Sequence, residues 1–271
     1  MLKENYHTHT SRCGHAIGED EEYVQYAMIG GLKTLGFSDH VPYYIEHPSE
    51  RMNIEDLEGY KQSIRSLQKK YEGQIEILCG LELEYYPSQI DHLMQLRREF
   101  DYCILGQHYL ELEGYSSYNI TDKEHLMTYL DRVETACKIG LCDYIAHPDL
   151  CLFDYPTATD EDCKYVANRL ADISLEYNIP LEINCGSGIR IGKKYYPDGE
   201  RYSYPTRAFF EVFAEKQAPV IIGLDVHDPM YFLTDEYIDA AMDVMKGLNL
   251  NLLTHYDIKK AADERKKHLK Y

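Results

Sequence analysis

The sequence predicts an α/β fold closed into a barrel, and three observations lead there. Short β-rich runs alternate with longer helical patterns along the 271 residues. No Pro/Ser-rich linker or low-complexity stretch divides the chain, so residues 1–271 are expected to form one domain, a length that α/β barrels routinely reach. Periodicity alone admits an open doubly wound sheet equally well, and the polar residues decide. They collect at the ends of many different strand-like runs, and in a barrel all those ends open onto one face.

Taken in order, the first predicted strand covers 5–9 and is followed by a helix over 19–28, with Gly30-Gly31 as its stop. A strand over 34–39 precedes a helix over 54–71. A strand over 75–84 precedes a helix over 88–98 that starts just after Pro87. The fourth strand covers 102–108, and Thr121-Asp122-Lys123-Glu124 fits a capping box opening a helix that runs to about 139, ahead of Gly140. Strands over 144–147, 180–184 and 220–225 alternate with helices over 160–177, 206–216 and 235–246. That makes seven βα units, with the basic C-terminal stretch read as a tail.

Hydrophobic residues make up 44% of the chain and charged residues 27%, enough apolar material for a core and too little bias for disorder. Acids outnumber bases 46 to 28, for a formal net charge of -18, and no basic cluster stands out. Nucleic acid is therefore not an expected partner, since its binders neutralise phosphates with a basic patch. A small phosphorylated metabolite is still allowed, because bound metal ions reverse the potential locally. The first residues lack an apolar signal-peptide core and no apolar run is long enough to cross a bilayer, so a cytoplasmic protein without a membrane partner is expected. The eight cysteines form no Cys-x-x-Cys pair and are read as reduced, mostly buried thiols.

His7 and His9 lie two apart on a predicted strand, so both imidazoles project to one side and can grip one ion. Alone this pair is a weak signal, because imidazole is comfortable at any polar strand end. The other strands repeat it. They end in Ser38-Asp39-His40, Gly80-Leu81-Glu82-Leu83-Glu84, Gly106-Gln107-His108, Ala146-His147-Pro148, Glu182-Ile183-Asn184 and Asp225-Val226-His227. Imidazole plus carboxylate is the ligand set of zinc, iron or manganese. The candidates are too many for one tetrahedral ion, so a multinuclear site follows, with one carboxylate bridging.

Together with the trailing His15, these motifs resemble the polymerase-and-histidinol-phosphatase (PHP) superfamily over nearly the whole chain. Within it, Leu181-Glu182-Ile183-Asn184 followed by Gly188-Ile189-Arg190 looks like the stand-alone histidinol-phosphate phosphatases. The resemblance implies a distorted seven-stranded TIM-like (β/α) barrel holding three divalent ions, zinc, iron or manganese. By the same resemblance the first ion takes His7, His9, Glu82 and Asp225, the second Glu82, His108 and His147, and the third His15, His40 and His227. Glu82 is the implied bridge, and His15, a loop residue, is nominated by the resemblance alone. Two departures stand out: the last motif reads Leu224-Asp225-Val226-His227 where the family commonly has Ser-Asp-Ala-His, and the spacing from Asn184 to Arg190 is slightly long.

The implied activity is hydrolysis of the phosphate monoester L-histidinol phosphate to L-histidinol and phosphate, in histidine biosynthesis. The expected chemistry is in-line attack on phosphorus by a hydroxide bridging two ions, with Glu82 and Asp225 at the centre and Arg190 as a planar clamp on the phosphoryl group. His40 and Asn184 are further substrate-side candidates. Asp39 is expected either to orient His40 or to protonate the leaving oxygen, the former being favoured. Glu111, Glu113, Tyr115, Tyr43 and Tyr44 are candidates for the pocket of a cationic alcohol. Histidines 47, 92, 125, 255 and 268 are assigned no chemistry. Two alternatives stay open: a phosphoesterase acting on another small ester or on nucleic-acid ends, and a non-catalytic metal-binding protein.

Overall fold

The computed structural model describes residues 2–45, 50–155 and 159–269. Ten strands are found among them: β1 (Glu4–Asn5), β2 (Thr34–His40), β3 (Glu76–Leu83), β4 (Cys103–Leu105), β5 (Tyr144–Ile145), β6 (Leu181–Asn184), β7 (Lys193–Tyr196), β8 (Gly199–Tyr202), β9 (Pro219–Gly223) and β10 (Asn251–Leu252). Eight of them pair in parallel in the order β1-β2-β3-β4-β5-β6-β9-β10, and β7 and β8 form a separate antiparallel hairpin. The helices are α1 (Asp20–Ile29), α2 (Leu57–Lys70), α3 (Ile90–Glu99), α4 (Lys123–Ile139), α5 (Asp160–Tyr177), α6 (Ser187–Arg190), α7 (Arg207–Lys216), α8 (Glu236–Val244) and α9 (Ile258–Lys266). None is long and apolar enough to cross a membrane.

The sheet curls until its first strand meets β9. Thr8 bridges Val226 in parallel, with His9 N–H donating to the Val226 carbonyl (2.9 Å) and Val226 N–H to that of His7 (3.1 Å). At its other end β9 pairs with β10 instead, through Asn251 against Pro219 and Leu252 against Val220. Seven strands thus close a ring at the C-terminal end and an eighth is wedged in at the N-terminal end. This is the expected distorted barrel, with β10 and the β7–β8 hairpin the strands that sequence patterning does not reveal.

Alternation along the strands sorts residues into two cores. Leu78, Ile104, Tyr144, Ala146 and Ile221 point into the barrel with Tyr6 and Tyr102, while Leu81, Leu83, Leu105, Ile145 and Ile183 face the helices. Tyr102 fills the barrel axis and donates its hydroxyl to the carbonyls of Tyr6 (2.7 Å) and Phe37 (2.9 Å). Gly80 makes room for it, since a Cβ there would overlap the Tyr102 ring. Ile258 and Ala262 of α9 join this inner cluster. The interior is therefore packed, and whatever stands above Tyr102 on the inward face forms the floor of the barrel mouth.

Differences from the predicted elements are local. The 5–9 strand shortens to β1 because Asn5 turns its side chain back on its own backbone: Nδ2 donates to the His7 carbonyl and to Thr8 Oγ1 (2.9 Å each), and Oδ1 accepts Leu224 N–H (2.9 Å). Helix α4 is capped by Asp122 rather than Thr121; its carboxylate accepts His125 N–H (2.9 Å), which serves the orphan donors as a hydroxyl would and adds a charge favoured at that end. The tail contains α9, whose buried residues Ile258 and Ala262 leave too sparse an apolar pattern to read in advance.

Candidate metal centre

The inward positions at the tops of the strands converge on Glu82. It follows Leu78 and Gly80 on the inner face of β3, and register places it beside His40 of β2. Its Oε2 lies 3.2 Å from His40 Nδ1 and 3.4 Å from both His7 Nε2 and His9 Nε2. Its Oε1 lies 2.9 Å from His147 Nε2 and 3.6 Å from His108 Nε2. Gly106 permits this position, because a Cβ there would overlap Glu82 Oε1.

Asp225 closes the same cluster from the loop after β9, its Oδ1 3.6 Å from His7 Nε2, 3.4 Å from His9 Nε2 and 3.3 Å from His227 Nδ1. Asp225 and His147 both take positive φ, 49° and 29°, which side chains other than glycine adopt where the surroundings impose it. His15 and His227 stack at 4.6 Å between ring centroids, with His40 next to His15 at 5.4 Å. Ligand atoms of His15, His40 and His227 fall within 4.8 Å of one another, as do those of His7, His9 and Glu82, and of His40, Glu82 and His108.

These residues fit divalent cations on three grounds. His7 donates Nδ1–H to Glu182 Oε1 (2.8 Å), His15 to the Cys13 carbonyl (3.1 Å) and His227 to the Asp225 carbonyl (3.1 Å), and in each ring this turns Nε2 toward the cluster. Second, His7 Nε2, His9 Nε2, Glu82 Oε2 and His227 Nε2 are buried with no hydrogen-bond partner among the described residues. Buried polar atoms are normally paired, so a run of orphans on one focus points to a missing cation. Third, the field asks for positive charge. Burial pushes His9 down, but Asp225, Asp39 and Glu82 outweigh it and its imidazole titrates at about 9. Burial likewise raises Glu82 and Asp225, yet the surrounding imidazoles hold both well below the usual carboxylate range.

Comparison with known families agrees with this geometry: the PHP domain pattern matches residues 5–186. The chain belongs to the PHP domain family. A protein named "Probable histidinol-phosphatase" from Deinococcus radiodurans is 31% identical over 235 residues, covering 82% of this chain and 85% of that protein. A protein of the same name from Schizosaccharomyces pombe is 26% identical, covering 86% of this chain and 85% of its own length. In three dimensions the barrel is similar to the histidinol phosphate phosphatase of Lactococcus lactis, solved with zinc, L-histidinol and phosphate, at a TM-score of 0.67 and 18% identity over 93% of this chain and 96% of that one.

The PHP fold brings together all nine residues expected as ligands, with His40 placed between two of the groups. It separates others. Asp39 alternates outward from His40; its carboxylate is fully buried, accepts the Thr10 hydroxyl and His40 N–H (2.9 Å), and lies 3.6 Å from His9 Nδ1. It thus steadies His9 and the backbone of His40, and burial keeps it from any leaving oxygen. Asn184 sits behind the carboxylates, its Nδ2 donating to Glu182 (2.8 Å) and Asp225 (3.3 Å) and its Oδ1 accepting Gly186 N–H (2.7 Å). Arg190 donates Nη2–H to the Asp225 carbonyl (2.8 Å) and lies over the Tyr231 ring at 4.5 Å, while its Nη1 is buried with no hydrogen-bond partner among the described residues.

Of the residues nominated for a cationic alcohol, none lines the pocket. Tyr43 is buried with its hydroxyl on the Glu84 carbonyl (2.8 Å), Tyr44 packs on His92, and Tyr115 stacks on His125 at 4.0 Å. Glu111 and Glu113 stay in the loop after β4, away from the wall. Among the histidines given no chemistry, His92, His125 and His255 have partners in Pro42, Asp122 and Glu4, and His47 lies outside the described residues.

One member of the site is named in a strand-end motif of the sequence but given no role there. Glu182 is fully buried and holds His7 Nδ1 with one oxygen, while the other accepts His147 N–H (2.9 Å) and the Asn184 amide. The available signal was its inward position on β6, two residues before Asn184.

Proposed function

We propose that this PHP protein is a phosphoric monoester hydrolase that converts L-histidinol phosphate to L-histidinol and phosphate, and that it holds three divalent ions. The observation that carries the reading is Glu82: five imidazoles reach its two oxygens, three at Oε2 and two at Oε1. A single carboxylate so surrounded would offer both oxygens to divalent cations held by the neighbouring imidazoles. Support for the substrate comes from the relatives' names and from their match along more than four fifths of the chain.

His7, His9, Glu82 and Asp225 would hold the first ion, Glu82, His108 and His147 the second, and His15, His40 and His227 the third. Bound divalent ions supply charge neutralisation for a phosphate monoester dianion and water acidic enough to ionise near neutral pH. The chain's own groups prepare that site. Glu182 fixes the His7 tautomer and tethers His147, so two ligands from different strands share one support. Asn184 couples Glu182 to Asp225, and Arg190 braces the positive-φ backbone of Asp225 from behind. Leu224, in the place of the family's serine, is buried in the core that faces the helices.

The test is metal analysis of freshly purified protein, coupled to phosphate release across a panel of monoesters that includes L-histidinol phosphate. Bound divalent metal with highest kcat/KM on that ester is expected. Metal-loaded protein that releases phosphate from none of the panel overturns the proposal.

A further inference from the structure

Outside the imidazole and carboxylate cluster, the pocket wall is made by Glu50, Arg51, Tyr109, Tyr118 and Ser187. We propose that Glu50 is a specificity-determining residue that receives the positively charged group of the leaving alcohol. This rests on the phosphatase reading above and assigns the selectivity of that same site.

The backbone supplies the first argument. Glu50 takes φ 55°, a conformation a non-glycine residue keeps when something nearby enforces it. Its neighbour Arg51 is firmly held. Arg51 is buried, donates Nε–H to Glu84 Oε2 (2.8 Å) and Nη2 to the Tyr86 hydroxyl (3.1 Å), and lies over the Tyr109 ring at 4.6 Å. Glu50 precedes this anchor and lines the pocket beside it.

Charge supplies the second. Arg51 is compensated by Glu84, 2.6 Å away, so the pair presents little net charge to a ligand. Glu50 forms no ion pair among the described residues; its carboxylate accepts a long hydrogen bond from the Tyr109 hydroxyl (3.5 Å). Among the described residues, the outer wall therefore carries a carboxylate with no cationic partner, beside Tyr109. Such a wall repels the phosphoryl end of a substrate, which belongs against the cation-seeking cluster, and attracts an ammonium or imidazolium at the other end. A neutral leaving group gains nothing from it, and an anionic one is rejected.

Glu50→Gln keeps the shape and removes the charge, and Glu50→Lys inverts it. The measurement is the ratio of kcat/KM for L-histidinol phosphate to that for p-nitrophenyl phosphate, with calorimetric affinities for L-histidinol and for inorganic phosphate on the same metal-loaded proteins. In Glu50→Gln the ratio is expected to fall about 5-fold, through KM, the range for losing the charge of an exposed ion pair. L-Histidinol affinity should fall in parallel, more steeply than phosphate affinity, and Glu50→Lys should lower both readouts further. A wild-type preference for the cationic ester that survives in Glu50→Gln overturns this inference and leaves the phosphatase reading standing. A wild-type enzyme with no such preference overturns the substrate assignment and the inference with it.

Discussion

At the N-terminal end of the barrel strands, Asp143 accepts both terminal nitrogens of Arg97 (2.8 and 2.7 Å), Cys103 N–H (3.0 Å) and Arg265 Nη1 (3.1 Å). Arg97 and Asp143 are both fully buried, and Arg97 also donates Nε–H to the Gly140 carbonyl (3.0 Å). At the C-terminal end, His7, His9 and Glu82 are as deeply buried, and with the partly exposed His227 they keep polar atoms that have no hydrogen-bond partner among the described residues. Both ends bury charge. One gives each nitrogen and oxygen of the ion pair a partner, while the other leaves a set of polar atoms aimed at a common focus. Burial of charge therefore says little about function, and the pattern of satisfaction says a great deal.

The sharpest way to break that comparison is Glu82→Gln. It should abolish phosphate release and bound metal together, read by product assay and elemental analysis, and a metal-free variant with wild-type turnover would show that the focus is not catalytic. At the opposite end Arg97→Met leaves Asp143 buried with weaker compensation and should cost about 3–5 kcal/mol of unfolding free energy, measured in denaturant. Its metal content and kcat per folded molecule should stay near wild type. Loss of metal without loss of stability would merge the two ends into one functional unit.

Stripping the metal with a chelator should lower stability by about 4 kcal/mol at metal concentrations near 1,000 times the dissociation constant. The increment should vanish in Glu82→Gln and persist in Arg97→Met, which thermal unfolding with and without metal can establish. The smallest effect belongs to Glu182→Gln. Replacing a carboxylate that supports His7 should weaken metal affinity about 10- to 100-fold, with turnover recovering in excess metal. Turnover that excess metal cannot restore would move Glu182 from positioning into the chemistry itself.

Much of this was legible in the chain. Seven strands and their helices follow from period and punctuation; α5 spans Asp160–Tyr177 as predicted because Thr159 and Asp162 close a capping box at its start and Asn178 takes the left-handed conformation at its end. The ligands were legible because metal chemistry restricts them to a few residue types repeated at strand ends. Less was visible where a residue acts through a neighbour. Glu182 and Asn184 were read as one strand-end motif, and only their hydrogen bonds reveal that they face the ligands rather than the pocket. Asp39 beside His40 looked like its partner, but adjacent residues on a strand point to opposite faces, so its carboxylate meets Thr10, His9 and the backbone of His40 rather than the His40 ring.

The sequence by itself determined the βα alternation, the acidic charge balance, and the set of imidazoles and carboxylates at the strand ends, because each is a property of local pattern or of residue chemistry. Tertiary structure alone decided the rest. Closure of the ring through Thr8 and Val226, the wedge of β10, and the arrival of Glu50 and Arg51 at the mouth all depend on contacts between residues far apart in the chain. No local period records such contacts. Which buried charge is satisfied and which is left open is likewise a property of the assembled environment.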